Sequence, residues 1–127
     1  MIKIKHLILL TPVLFLVGIL VYIFYYFGPP GIVVTVVNDS PNILKNIDIS
    51  YTGGSILIDK LEPHTSFSSK RVNPDGESHL ILKWVDKDGK ENQNIINVYF
   101  EPDYRGTIRI TIDPDGKVSW DNHIWFI

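Results

Sequence analysis

The chain of 127 residues contains no cysteine, no alanine and one methionine, Met1. Without cysteine there is no disulfide, no thiolate metal site and no lipid-modified N-terminus of the bacterial lipoprotein kind, so the fold must rest on its hydrophobic core. Without alanine there is no Ala-x-Ala signal for a signal peptidase. One methionine is too few for a thioether copper carrier. Residues 7–27 lack every charged side chain, and only Thr11, Tyr22, Tyr25 and Tyr26 have polar tips there. An excess of basic charge is missing as well. Lys3 and Lys5 precede that run and all 14 acidic residues follow it, so the remainder, with 10 of the 12 Lys and Arg, is four charges negative. Nucleic acid, which demands a basic patch, is thereby excluded as a partner.

The uncharged run is the strongest feature present. As a helix it is about 30 Å long, the thickness of a bilayer's hydrocarbon core, and the expectation is one transmembrane helix over 7–27. An uncleaved signal anchor is favoured over a signal peptide, because Gly28-Pro29-Pro30-Gly31 obstructs cleavage and stops a helix. Lys3 and Lys5 before the span place residues 1–6 in the cytoplasm, with Tyr22, Tyr25, Tyr26 and Phe27 at the outer interface. Pro12 either starts this helix or kinks it. The expected organisation is a cytoplasmic 1–6, a span 7–27, a Pro/Gly linker 28–31 and an extracytoplasmic domain 32–127, in a single-pass protein of the bacterial inner membrane with that domain periplasmic.

Past the linker the pattern has a period of two. Strands are expected at 32–37, 46–51, 56–58, 67–72, 79–85, 95–100, 107–112 and 117–120, separated by Asn, Asp, Pro and Gly turns. In 107–112, Ile108, Ile110 and Ile112 alternate with Thr107, Arg109 and Thr111, one face for core and one for water. Seven or eight such strands predict an all-β antiparallel sandwich, with Trp84 as a core filler.

A Leu-x-Pro-x-x-Ser step at Leu61-Glu62-Pro63-His64-Thr65-Ser66 follows an Asn38-Asp39-Ser40 turn and a Tyr51-Thr52-Gly53-Gly54 hairpin. This combination resembles small single-span bacterial membrane proteins with one extracytoplasmic immunoglobulin-like β domain. The resemblance covers about residues 32–85 and departs at His64, where such domains often carry glycine. It implies an Ig-like fold and an envelope location, with adaptors and binders among its members, and it carries over no site residue.

Three turns, Asn73-Pro74-Asp75-Gly76, Asp86-Lys87-Asp88-Gly89 and Asp113-Pro114-Asp115-Gly116, begin as calcium loops do. An EF-hand loop needs further oxygen ligands, but Lys90, Asn97, Lys117 and Ile124 occupy those places, so the expectation is structural turns. His64, His79 and His123 share no ligand spacing, and no metal or other cofactor is expected. No nucleophile elbow, Ser-x-x-Lys motif or phosphate-binding glycine loop is present, and Glu101 and Asp103 read as loop charges. The chain therefore reads as a non-enzyme.

Aromatics and arginine are the residues of interface hot spots, and they gather late in the chain. Tyr104, Arg105, His123, Trp125 and Phe126 are the candidate partner-binding residues. Residues 121–127 admit two readings, a last strand closing a sheet or a segment that pairs with a partner. The expected function is a membrane-anchored binding module, an accessory of a cell-envelope protein assembly. The alternatives are an immunity-type protein that neutralises a periplasmic or membrane-acting toxin, and a carbohydrate binder or enzyme whose site sequence does not reveal. The membrane, through the helix, and another envelope protein are the expected partners.

Overall fold

Past residue 30, apolar residues at alternate positions leave most segments one apolar and one polar face, and such segments are stable only when two sheets share a core. The computed structural model shows that outcome, describing residues 4–126 except for the side chains of 5, 6, 7, 9 and 27 within its helix. Lys3 and Ile127, which enter the sequence expectations, lie outside the described residues.

Helix α1 spans Ile4–Phe27 with Pro12 inside it, so this proline is not the start of the helix. It ends where Gly28 enters the left-handed region at φ +67, its N–H donating to the Phe24 carbonyl at 2.9 Å before Pro29 and Pro30 forbid continuation. Residues 10–26 are all exposed. Among the described residues no helix is long and apolar enough to cross a membrane. That finding overturns the transmembrane helix expected over 7–27, and with it the single-pass anchor, the inner-membrane address and the orientation drawn from Lys3 and Lys5. It concerns α1 alone and assigns no compartment.

Eight strands follow: β1 (Gly31–Asn38), β2 (Leu44–Tyr51), β3 (Gly54–Leu61), β4 (Thr65–Ser68), β5 (Ser78–Val85), β6 (Glu91–Phe100), β7 (Arg105–Ile112) and β8 (Val118–Trp125). They form two four-stranded sheets, ordered β4-β1-β7-β8 and β3-β2-β5-β6. Among the described residues every strand pairing but one is antiparallel. β1 runs parallel to β7, from Gly31↔Arg105 to Asn38↔Ile112, so the wholly antiparallel sandwich expected from sequence is corrected there. Turn residues predict reversals between neighbours in sequence, whereas this pair joins segments far apart in the chain.

Between the sheets lies one core. Ile32, Val34 and Val36 of β1 and Ile108, Ile110 and Ile112 of β7 meet Ile47, Ile49, Leu80, Leu82, Trp84, Ile96, Val98 and Phe100 of the other sheet. Fully burying each such side chain stabilises the fold by about 1.5–3 kcal/mol. Among the described residues three polar side chains, Asn38, Ser40 and Ser78, are buried as well. Asn38 is fully buried at the end of β1, where its Nδ2 donates to the carbonyls of Asn42 (2.8 Å), Leu61 (3.0 Å) and Glu62 (3.1 Å). Its Oδ1 accepts from the Ser40 N–H (3.0 Å) and hydroxyl (2.6 Å), so one amide ties the segment after β1 to the segment at the end of β3.

Several strand boundaries differ from the sequence pattern: β3 runs Gly54–Leu61 where 56–58 was expected, and β6 begins at Glu91 where 95 was expected. The strand expected at 67–72 is β4 at Thr65–Ser68, and Val72 makes only an isolated bridge to Ile32. Residues 121–125, for which sequence left two readings, belong to β8 and close the sheet against β7. His64, which stands where the resembling domains carry glycine, adopts φ +56, a conformation glycine reaches without strain.

Candidate interaction surface

The end of the sandwich nearest α1 is assembled by the start of β7, the end of β8 and the loop between β6 and β7. Gly106 makes that junction tight. It has φ +136, and a Cβ there would lie 1.9 Å from the His123 carbonyl oxygen, so only glycine lets β7 and β8 approach this closely. The pairing sets Arg105 opposite Trp125 and Thr107 opposite His123. In the preceding loop Asp103 takes φ +69 and is held by its own N–H, which donates to Asn73 Oδ1 at 2.8 Å.

Upon this frame sits an aromatic cluster. Tyr104 stacks on Phe126 with centroids 5.2 Å apart at 25°, and Tyr99 of β6 meets Tyr104 edge-on at 6.4 Å and 77°. Phe126 is 72% exposed, Tyr99 52% and Trp125 39%, while Tyr104 packs against the core beneath them. The Tyr99 hydroxyl donates to Glu101 Oε1. That hydrogen bond, aided by partial desolvation and by the carboxylate charge, pushes the phenol pKa well above its ordinary value. Arg105 turns the other way: its Nη1 donates to the Gly28 carbonyl at 2.7 Å just past α1, and Gly31 N–H donates to the Tyr104 carbonyl at 2.9 Å.

The five residues singled out in the sequence are thus neighbours. Tyr104 and Phe126 touch, Arg105 and Trp125 are paired, and His123 lies two residues before Trp125 on the same face of β8. Arg105 braces the helix junction, so it is held in place instead of projecting freely. Tyr99 and Glu101 were missed. The signal for them was a tyrosine on the polar face of a strand immediately before a Glu-Pro turn.

At the opposite end, two of the three calcium-like turns spend a carboxylate on their own backbones. Asp86 Oδ1 accepts from the N–H groups of Asp88 and Lys90, both at 3.0 Å, and Asp113 Oδ1 accepts from Asp115 (2.9 Å) and Lys117 (2.8 Å). Asn92 donates to Asp86 Oδ2 at 3.1 Å, and this bond is the main reason that carboxyl titrates below its ordinary range. An open cleft of about 340 Å³ separates the two turns. Among the described residues no group of three or more His, Asp or Glu could hold a metal ion.

No protein-family model matches the chain, and no curated protein does. Among solved structures the chain is similar to one described as the NMR structure of the protein from Eubacterium rectale. The two superpose with a TM-score of 0.52 at 15% identity, covering 74% of this chain and 89% of the other. At that identity the likeness concerns fold alone.

Proposed function

We propose that this chain is a protein-binding module whose contact surface is the aromatic end of the sandwich, Tyr99, Tyr104, Trp125 and Phe126, together with the adjoining strand β8. The observation that carries this reading is the packing of two exposed rings, Tyr99 and Phe126, on the partly buried Tyr104, with the exposed Trp125 next to Phe126 at the end of β8. Rigid aromatic rings supply contact area at low entropic cost, which is why they dominate binding energy at protein interfaces. Pre-ordering by the Tyr104–Phe126 stack lowers the ordering cost further. The expected catalytic inertness of the chain is part of this proposal.

The test is photo-crosslinking in intact cells from single positions. A photoreactive side chain at residue 99 or 126 should yield one discrete protein adduct. The same group at Leu57, exposed on the other sheet, should not. The adduct from residue 99 should disappear when Phe126 is replaced by Ala. Equal adducts from all positions, or none from 99 and 126, would remove the surface from consideration.

A further inference from the structure

Strand β8 pairs with β7 on one side and, among the described residues, is hydrogen-bonded to no strand on the other. Unpaired edges are templates for another strand, and proteins guard them with shortness, lysine, proline or bulges. The other three edges carry such guards. β4 has four residues, β3 carries Asp59 and Lys60, and the β5–β6 pairing shifts register between Ser78 and Leu80. β8 reads Val-Ser-Trp-Asp-Asn-His-Ile-Trp, without lysine, proline or glycine, and keeps register with β7 over all eight positions.

Its two faces specify what could join it. Val118 and Ile124 face the core side, and Trp120, which shares that side, is still 38% exposed. Ser119, Asp121, His123 and Trp125 face outward. β7 displays the pattern that β8 already accepts: Ile110 opposite Trp120, Arg109 opposite Asp121 and Thr107 opposite His123. Asp121 is the only carboxylate on β8, so the charge that complements its free edge is a cation.

From this geometry we infer that β8 receives an added strand from the partner: an extended segment of about eight residues, apolar beside Trp120 and Ile124 and basic beside Asp121. Main-chain hydrogen bonds along the edge give the affinity, and the alternating side chains give the choice of segment. Asp121 then stands in a row between Arg109 and the incoming cation. The inference rests on the protein-binding reading above and gives it a mode of engagement.

The probe is a synthetic peptide reproducing residues 105–112, flanked by lysines for solubility, titrated into the 15N-labelled full chain in mild detergent. Amide shifts should be confined to 118–125, and alternate amides there should gain at least about tenfold protection from hydrogen exchange. Asp121→Lys should weaken the peptide about fivefold, the upper range for an exposed ion pair. Trp120→Lys, an edge guard pointing inward, should abolish binding while leaving the other amide shifts in place. Shifts elsewhere, or unchanged exchange in β8, overturn strand addition. Concentration-dependent protection of the same amides without peptide also overturns it, in favour of pairing between two copies. If crosslinks from 99 and 126 persist while β8 amides stay unprotected in the complex, the surface reading survives and strand addition falls. If β8 takes the peptide but those crosslinks fail, the aromatic surface falls and the edge stands.

Discussion

Replacing Gly106 by alanine tests how the corner that carries the aromatic cluster is held together. Two costs follow from the geometry. At φ +136 an L side chain is strained by about 1–3 kcal/mol. The new methyl would also lie 1.9 Å from the His123 carbonyl oxygen and 2.9 Å from Ile124 Cα, both backbone atoms that cannot rotate away. β8 must withdraw by about 1 Å or more before the first contact reaches even 3.0 Å. Withdrawal sacrifices about two cross-strand hydrogen bonds at roughly 1 kcal/mol each, for a total of about 3–5 kcal/mol. That is a large share of the 5–15 kcal/mol typical of a domain. Urea unfolding followed by tryptophan fluorescence should show a midpoint lower by about 1.5–2.5 M, at about 2 kcal/mol per molar urea. Hydrogen exchange should accelerate at 123–125 before 118–120. Gly116→Ala is the control. Its φ is +80 but nothing lies within 4 Å, so it should cost only about 1–2 kcal/mol of conformational strain. Equal midpoints for the two variants, or a Gly106→Ala protein as stable as the parent, would refute the close-approach argument.

Three other outcomes are expected. Asn38→Leu leaves the Leu61 carbonyl and the Ser40 N–H buried without partners and should cost about 3 kcal/mol by the same urea assay, taking 1–3 kcal/mol for each orphaned group. Tyr99 should ionise well above the ordinary phenol value in a titration of phenolate absorbance, and Glu101→Gln should bring it back toward that value. Because its folded-state pKa is raised, the stabilisation it contributes is complete below the ordinary pKa near 10 and is lost as alkaline pH climbs through the folded value. Asp86 has the opposite sign: its lowered pKa contributes stability above the ordinary carboxyl value, lost as pH falls through the folded one. Asn92→Ala, which deletes the largest cause, should raise the Asp86 carboxyl pKa measured by carbon NMR.

Much of the sandwich could be read from residues alone because burial writes a period of two into a strand. The Ile108, Ile110, Ile112 and Leu80, Leu82, Trp84 series name both the strand and its inner face. β8 was harder. With Ser119, Asp121 and His123 outward and Asn122 inward, it is polar on both sides, and an edge strand buries too little to show a pattern. β4 was displaced because Val72 looks like a strand residue yet makes only a bridge, while the polar Thr65–Ser68 segment pairs with β1. The parallel β1–β7 contact left no local trace, since register across distant segments is fixed by packing and not by turns. At the candidate surface, composition pointed to Tyr104, Trp125 and Phe126, but Tyr99 joins them only because the β6–β7 loop folds its ring onto Tyr104. The helix was located correctly in large part and given the wrong setting: apolarity over 7–27 predicted a span, whereas among the described residues no helix is long and apolar enough to cross a membrane.

The parallel pairing also bears on how the molecule comes into being. Gly31 finds its sheet neighbour in Arg105, about 70 residues later, so β1 leaves the ribosome long before the strand it must lie beside has been made. Contacts of such long sequence separation slow the search for the native state. Until β7 arrives, the Ile-Val-Val-Thr-Val-Val segment is a sticky strand in waiting, and chaperone demand should fall sharply only once β7 has been made.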